Sequence, residues 1–576
     1  MKSLLKYLKN YKKESVLGPL FKLLEASFEL LIPIVMARII DIGIKNRDLN
    51  YVLAMGGVMV ALGLIGLVCS LTAQYFAAKA AVGFGTALRH DLFVHIQSLS
   101  YTEIDMMGTS TLMNRMTNDI NQVQSGVNLV LRLFLRSPFI VFGAMVMAFT
   151  IDVKAATVFV VTIPVLSIVV FGVMIISIPM YRTVQERLDK VLQITRENLS
   201  GVRVVRAFNK EEAEKKAFSD ANDLLVKQQI FVGKISAAMN PLTYVIINGA
   251  IVLLIWTGAW EVKNSVITQG EVVALVNYMS QILVELVKLA NLIINITKSL
   301  ACARRIESVL KTETSMAEGS RTDRGTDDAA VRFEHVTFKY AGAGEPSLTD
   351  INFTARRGQT IGIIGGTGSG KTSLINLIPR FYDVSSGRVS IDGIDVREYT
   401  FETLRNKIGI VPQKAVLFKG TIADNLKWGR QEASDEDLME ALKTAQGAEI
   451  VEGKEGGLNA EVTQGGTNLS GGQRQRLTIA RALVRRPEIL ILDDSASALD
   501  YATDAKLRRA IGALDPDMTV FIVSQRAASV WHADQIIVLD DGEVVGLGTH
   551  EELLKNCETY QEIYYSQFPK EGQANA

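Results

Sequence analysis

Cysteine is scarce: Cys69, Cys302 and Cys557 are the three in 576 residues, too far apart along the chain to suggest a disulfide framework or a clustered thiolate metal site. The five histidines are scattered in the same way. Net charge is missing as well, since 61 basic residues balance 61 acidic ones, and without a global field of one sign nothing argues for a nucleic-acid partner. No cleavable leader is evident, because "MKSLLKYLKNYKK" interleaves its lysines with apolar residues instead of placing them ahead of a continuous apolar run. That pattern predicts an amphipathic helix over 1–13 lying on the cytoplasmic surface of a membrane.

What is abundant is apolar: 48% of the residues are hydrophobic, and their long runs crowd the first 300 positions, while the rest reads as mixed α/β sequence with regular charges. A span needs roughly 20 mostly apolar residues to cross about 30 Å of hydrocarbon. Six candidates fit, near 15–40, 51–80, 127–150, 155–178, 239–260 and 271–298. Five lysines within the first thirteen residues put the amino terminus in the cytoplasm, which leaves "DIGIKNRDLN", "IDVK" and "EVKNSVITQG" as short external loops and both termini cytoplasmic. The two internal connections, 81–126 and 179–238, are long, charged and helical in pattern, so the spans are expected to run on past the bilayer, either as arms that touch a cytoplasmic domain or as solvated hairpins. The expected organisation is a multi-domain membrane protein: an all-α six-helix transmembrane domain over 1–310, a linker over 311–330 and an α/β nucleotide-binding domain over 331–576.

Charges inside the spans are costly in lipid and point to a water-filled pathway. In the sixth span Asn277, Gln281, Glu285, Lys288 and Asn295 recur at steps of three, four or seven, one helical stripe, with Tyr278 beside it. The first span carries Lys22, Glu25 and Glu29, and the third Arg132 and Arg136. Glu285, Asn277, Gln281, Tyr278 and Glu29 are the candidate cavity residues, and Glu285 is the preferred pathway group; interhelical salt bridging or snorkelling is the alternative for Lys22 and Arg132. Trp256 is a further pathway candidate, and Trp256 and Trp260 could equally form an interfacial belt, which suits Trp260 better.

"IGIIGGTGSGKTSLINLI", 361–378, reads as strand, glycine-rich loop and helix start, and matches G-x-x-x-x-G-K-[ST] through Gly365, Gly370, Lys371 and Thr372. Across Gly365, Gly366, Thr367, Gly368, Ser369, Gly370 and Ser373 the backbone can approach phosphate oxygens, Lys371 would neutralise their charge and Thr372 would ligate Mg²⁺. "EILILDD" supplies a buried strand ending at Asp493, placed to hold the magnesium ion through Thr372 or water. "NLSGGQRQRLTIARAL" then opens a helix at Ser470, Gly471 and Gly472, where hydroxyl and amide groups would grip a phosphate from a second molecule.

Taken together these motifs resemble the ATP-binding cassette proteins. The resemblance implies that Leu469, Ser470, Gly471, Gly472 and Gln473 close over ATP held by an opposing cassette, that Tyr340 of "VRFEHVTFKY" stacks on adenine, that Gln413 of "IVPQ" is the Q-loop residue and an Mg²⁺ ligand, and that "SALD" ending at Asp500 is the D-loop. "GLGTHEELL" resembles the usual carboxyl end. Six spans ahead of one cassette extend the resemblance to type IV exporters, with "LMNRMTND" and "ENLSGVRVVRAFNKEE" as loops whose coupling helices, near 101–119 and 200–212, dock on cassettes, the second on a partner's.

Three positions depart from that pattern. The family normally has a water-polarising glutamate after the magnesium aspartate and a histidine at the switch; here stand Asp494 and Gln525, and Gln464 replaces an X-loop glutamate. Aspartate is one methylene too short, and glutamine cannot titrate as imidazole does. The resemblance then implies the degenerate-site subunit of a heterodimeric bacterial multidrug-type exporter in the cytoplasmic membrane. A second half-transporter with intact glutamate and histidine would use this chain's signature, ATP and Mg²⁺ would serve as cofactors, and a small amphipathic drug or lipid would be the cargo. A slow homodimeric exporter and an ATP-gated regulator or channel remain the competing readings.

Overall fold

Backbone amides in hydrocarbon must be paired within the chain, and the α-helix is the local solution for long apolar runs. The computed structural model describes residues 4–323, 325, 327–495 and 499–568 and is almost wholly helical up to position 310. In chain order come α1 (Lys12–Arg38), α2 (Leu49–Ser98), α3 (Tyr101–Met107), α4 (Ile120–Leu133), α5 (Arg136–Ile151), α6 (Val153–Ser200), α7 (Val202–Ala207), α8 (Glu211–Lys263) and α9 (Gln269–Leu310). Ahead of them Leu4–Tyr11 winds as a 3-10 helix that buries Leu4 and Tyr7, with the Tyr7 ring edge-on to Phe84.

Among the described residues five stretches are long and apolar enough to cross a membrane: Leu49–Ser98, Thr109–Ile151, Val153–Ser200, Glu211–Lys263 and Gln269–Leu310. The remaining expected span, 15–40, does form a helix, α1, but Lys22, Glu25 and Glu29 make it too charged to join that set. With 50, 48 and 53 residues, α2, α6 and α8 run about 70–80 Å, more than twice the thickness of the hydrocarbon layer. The helices pack around Leu30, Ile140, Phe159, Leu166, Leu254 and Met279, and small residues such as Ala26, Ala144, Ala148 and Ala274 let their backbones approach.

Two compact units divide the chain, Met1–Gln97 with Ser110–Thr312, and Ser98–Thr109 with Glu313–Ala576, so α3 groups with the second although membrane helices flank it. In the second unit the strands of the two larger sheets are β1 (Ala329–Phe338), β2 (Leu348–Arg356), β3 (Thr360–Gly365), β4 (Ser386–Ile391), β5 (Ile394–Asp395), β6 (Ile408–Val411), β7 (Ile489–Asp493), β8 (Thr519–Val523), β9 (Gln535–Asp540) and β10 (Glu543–Gly548). A four-stranded sheet has the order β2-β1-β4-β5, and a six-stranded sheet the order β10-β9-β3-β8-β7-β6. The middle of the second sheet is parallel and buried, with Ile361, Ile363, Ile491, Phe521 and Val523 in its core, as its unbroken apolar runs require. Helices α10 (Lys371–Leu377), α11 (Gly471–Val484), α12 (Tyr501–Gly512), α13 (Ala527–Val530), α14 (His550–Asn556) and α15 (Glu558–Gln567) belong to the same unit.

Candidate functional site

Strand register gathers the motifs. In β8, Val523 lies opposite Ile363 of β3 on one side and Asp493 of β7 on the other, while Val411 of β6 lies opposite Leu492. The loops leaving the carboxyl ends of four neighbouring parallel strands therefore carry Gly365–Gly370, Gln525, Asp494 and Gln413 to one crevice, where parallel α/β sheets bind ligands. A cleft of about 380 Å³ is lined there by Thr367, Gly368, Gly370, Lys371, Thr372 and Ser373, by Gln413, and by Asp493, Asp494 and Gln525.

The glycine-rich loop needs its glycines: Gly368 and Gly370 have φ of 89° and 93°, and a Cβ at Gly370 would meet the Ser347 carbonyl oxygen at 2.7 Å. Lys371 is buried, and its Nζ donates to the carbonyls of Gly365 at 2.9 Å and Gly366 at 2.5 Å and to Ser369 Oγ at 3.3 Å. Burial pushes its pKa down, and Asp494 and Asp493 oppose that shift. Gly365, Gly366 and Ser369 thus hold the lysine and do not line the cleft themselves. Tyr340 stands beside the cleft, its hydroxyl 3.1 Å from Ser373 Oγ and its ring edge-on to Phe338 and Tyr382.

Thr372 Oγ1 lies 3.3 and 3.4 Å from the two Asp493 oxygens. Asp493 is 4% exposed, and burial, with Asp494 adjacent, raises its pKa to about 6. Such a carboxylate calls for a cation, and Thr372, Asp493 and Gln413 fit a magnesium ion. No group of three or more His, Cys, Asp or Glu placed to hold a metal exists among the described residues, so phosphate oxygens and water would have to complete the shell. Asp494 follows with φ 44°; its amide donates to the Val523 carbonyl at 3.0 Å, and its carboxyl bonds to Gln413. Burial raises that carboxyl's pKa against the pull of Arg526 and Lys371.

The signature lies outside this cleft. Leu469 is buried in the cassette core, and Ser470 caps α11, its Oγ accepting from the Gln473 amide at 3.3 Å while Gln473 Oε1 accepts from the Ser470 amide at 2.9 Å. Ser470 and Gly471 are exposed. Asp500 caps α12 through the Thr503 amide and hydroxyl, both at 2.9 Å; Ser497 and Ala498 of "SALD" lie outside the described residues. Gln464 sits exposed in a short 3-10 turn.

Sequence reasoning missed several participants. Pro346, Ser347, Asp541 and Gly542 also line the cleft, brought by the β1–β2 and β9–β10 connections; "LDDGEV" marks a turn but not its destination. Gln567, at the end of α15, donates from Nε2 to the Gln525 carbonyl at 2.8 Å and accepts from the Ala527 amide at 2.9 Å.

In the membrane unit a cleft of about 480 Å³ is lined by Glu29, Asn277, Gln281, Glu285 and Lys288 with Ile32, Pro33, Met36, Met59 and Val284. Tyr278 is not part of it, contrary to expectation: the ring is fully buried and its hydroxyl donates to the Leu30 carbonyl at 2.5 Å, because its helical angle turns it toward α1. Glu285, the preferred pathway group, lines the cleft with its carboxylate already paired. It is 2% exposed and receives Arg136 Nη1 at 2.7 Å, Ser137 Oγ at 2.8 Å and Lys288 Nζ at 2.8 Å, while Arg136 Nη2 reaches Glu29 at 2.7 Å. Lys22 is spent on Glu25 at 2.5 Å and Ser70 at 3.1 Å, and Asn295 bonds the Asn291 carbonyl away from the cleft. Trp256 and Trp260 are exposed on α8.

Comparison with known proteins agrees with this geometry. The ABC transporter transmembrane region family matches residues 15–286, and the ABC transporter family matches 348–497. The chain is 38% identical over 573 residues to the uncharacterized ABC transporter ATP-binding protein YfiB of Bacillus subtilis, covering 99% of each, and 37% identical over 566 residues to a Mycobacterium tuberculosis protein of the same description, covering 97% of each. The ATP-dependent lipid A-core flippase of Salmonella typhimurium is 29% identical over 560 residues, 97% of this chain and 96% of that one. A solved bacterial Atm1-family ABC exporter with ATP bound superposes with a TM-score of 0.78 at 22% identity, over 97% of this chain and 99% of that one. With one membrane region fused to one cassette, the chain belongs to the ABC transporters, as a half-transporter with the exporter fold.

Proposed function

We propose that this chain is the degenerate-site half of a heterodimeric ATP-driven exporter in a bacterial cytoplasmic membrane, both termini cytoplasmic. The observation that carries the reading is the pairing of Asp494 and Gln525 in one cleft with a complete phosphate loop. Phosphoryl transfer depends on a positioned water. A carboxylate one methylene back, already bonded to Gln413, is poorly disposed to supply one, whereas every group that holds nucleotide is present. An exposed signature at Ser470 and Gly471 and an α7 tip whose Val204 and Phe208 are 60% and 70% exposed suit a partner cassette, with an ATP-hydrolysing translocase as the assembled product.

For cargo we infer an amphiphile. The membrane cleft joins apolar walls at Ile32, Met36 and Val284 to polar groups at Glu29, Asn277 and Gln281, and the flippase relative handles a lipid. The test is ATPase activity of the reconstituted pair against this chain alone, with Asp494→Glu and Gln525→His introduced together. We expect turnover from the pair, little from the chain alone, and a gain in the double variant. Brisk turnover by the unmodified chain alone would return the homodimer, and conductance without dye accumulation in inverted vesicles would return the channel.

A further inference from the structure

The cassette carries a second cavity, of about 600 Å³, a volume typical of small-molecule sites. One wall is α12, which starts at Tyr501 directly after Asp500; the other is α13 and the turn beyond it, which starts two residues after Gln525. Tyr501, Trp531 and Phe568 give it three rings, the last two stacked at 5.5 Å with planes 29° apart. Its charged lining has one sign: Arg508 and Arg509 line it, and among the described residues no carboxylate does.

Arg508 is anchored, with Nη2 3.0 Å from Asp504 and Nη1 2.9 Å from the Ala528 carbonyl, yet its buried Nε has no hydrogen-bond partner among the described residues. Arg526 adds a further positive charge over the Tyr501 ring at 5.1 Å. Rings reward a flat apolar body, and guanidinium groups reward an anion. We propose that this cavity is a second ligand site of the cassette, for an aromatic anion, and that its occupant acts on the nucleotide cleft through the switch segment.

The connection is short: one peptide bond and two hydrogen bonds. Phe568 lines the cavity, and its neighbour Gln567 clamps the backbone on both sides of Arg526 through the Gln525 carbonyl and the Ala527 amide. A ligand that displaces Phe568 from Trp531 pulls on that clamp, and the switch side chain moves with it. This coupling rests on the reading of Gln525 as the switch residue of the nucleotide cleft; the binding site itself does not.

Naphthalene-1-sulfonate would be titrated by calorimetry onto the full-length chain in lipid nanodiscs, with release of a fluorescent ATP analogue followed in parallel. One saturable site per chain is expected, with the release rate changed about fivefold at saturation. Ala505→Trp, which fills the cavity, and Arg509→Glu, which reverses a lining charge, should each weaken sulfonate binding about tenfold without changing analogue affinity, and uncharged naphthalene should bind about as weakly. Gln567→Ala should keep sulfonate binding but lose its effect on release. Binding no greater than to empty nanodiscs, or indifferent to both cavity variants, overturns the site; undisturbed release at saturation overturns the coupling. None of these outcomes depends on whether the chain hydrolyses ATP alone.

Discussion

At Asp493 burial acts against function. Its carboxyl has a pKa near 6, against 3.8 when free, so between those values the folded chain holds a proton that the unfolded chain has lost, and stability falls as pH rises through that window. Above about pH 6 the penalty is complete, on the order of 3 kcal/mol. Asp493→Asn should therefore raise the thermal stability of the nucleotide-free, magnesium-free chain at pH 7.5, with the gain fading toward pH 4, while abolishing magnesium-dependent nucleotide binding; equal unfolding temperatures of the two proteins at pH 7.5 would refute the assignment. The same proton competes with the cation, so magnesium-dependent ATP affinity should weaken as pH drops below about 6. One residue on, the left-handed φ of 44° suits aspartate better than glutamate, so Asp494→Glu is expected to trade some stability, under about 1 kcal/mol, for turnover. The carboxylates were legible in "LILDD" because an apolar strand must end where they begin. The clamp from Gln567 was not: a side chain bonding backbone 40 and 42 residues away leaves no periodic trace.

Among the elements, α3 docks through two ring contacts and a side-chain hydrogen bond. Its Tyr101 ring lies 4.8 Å from Phe381 and 6.0 Å from Tyr382, and the Tyr382 hydroxyl donates to Asp105 at 2.6 Å, a bond that raises that tyrosine's pKa after burial. Tyr382 in turn touches Tyr340, whose hydroxyl meets Ser373 of the nucleotide cleft. A double-mutant cycle on Asp105→Ala and Tyr382→Phe should return a coupling of about 1 kcal/mol in thermal unfolding, and additive effects would deny the contact an energetic role. In the membrane unit, Glu285→Ala leaves Arg136 buried with Glu29 as its one carboxylate and should cost about 3–5 kcal/mol, whereas Glu285→Gln keeps acceptors for Arg136 and Ser137 and should cost clearly less. Detergent-stability half-lives of the two variants test the ordering. Helix existence followed from the apolar runs, extension past the bilayer from the charged but helically patterned connections, and the polar stripe of α9 from its steps of three, four and seven. What the stripe touches depended on the angle at which α1 and α5 meet it, which hydropathy does not encode, so the ion pairs that hold Glu285 left no trace in the sequence.

For the whole molecule, the asymmetric reading makes a demand that no symmetric one shares. The resemblance to ABC exporters implies that the two sites are composite, each joining the phosphate loop of one chain to the signature of the other. If this chain's loop and Asp494 form the poor site, its signature belongs to the good one. Damage to Ser470, which does not line this chain's own cleft, should then be worse than damage to Lys371 inside it. With the partner present, Ser470→Arg places bulk and charge where the partner's ATP would be gripped and should cut total ATPase by about 10²-fold, the order of cost for misplacing a reacting group. Ser470 also caps α11, so Ser470→Thr, which preserves the cap, should keep most activity and separate loss of the helix end from loss of the site. Lys371→Ala removes the charge that balances phosphate in this chain's own cleft and should lower total turnover by no more than about threefold, with a larger loss in ATP retention, since neutralised phosphate charge mainly governs binding there. The comparison is made on ATPase rate and on bound nucleotide per complex, in one preparation of each variant. Equal losses from Ser470→Arg and Lys371→Ala would mean that both composite sites work alike, and Asp494 would then be a tolerated substitution in an active pump.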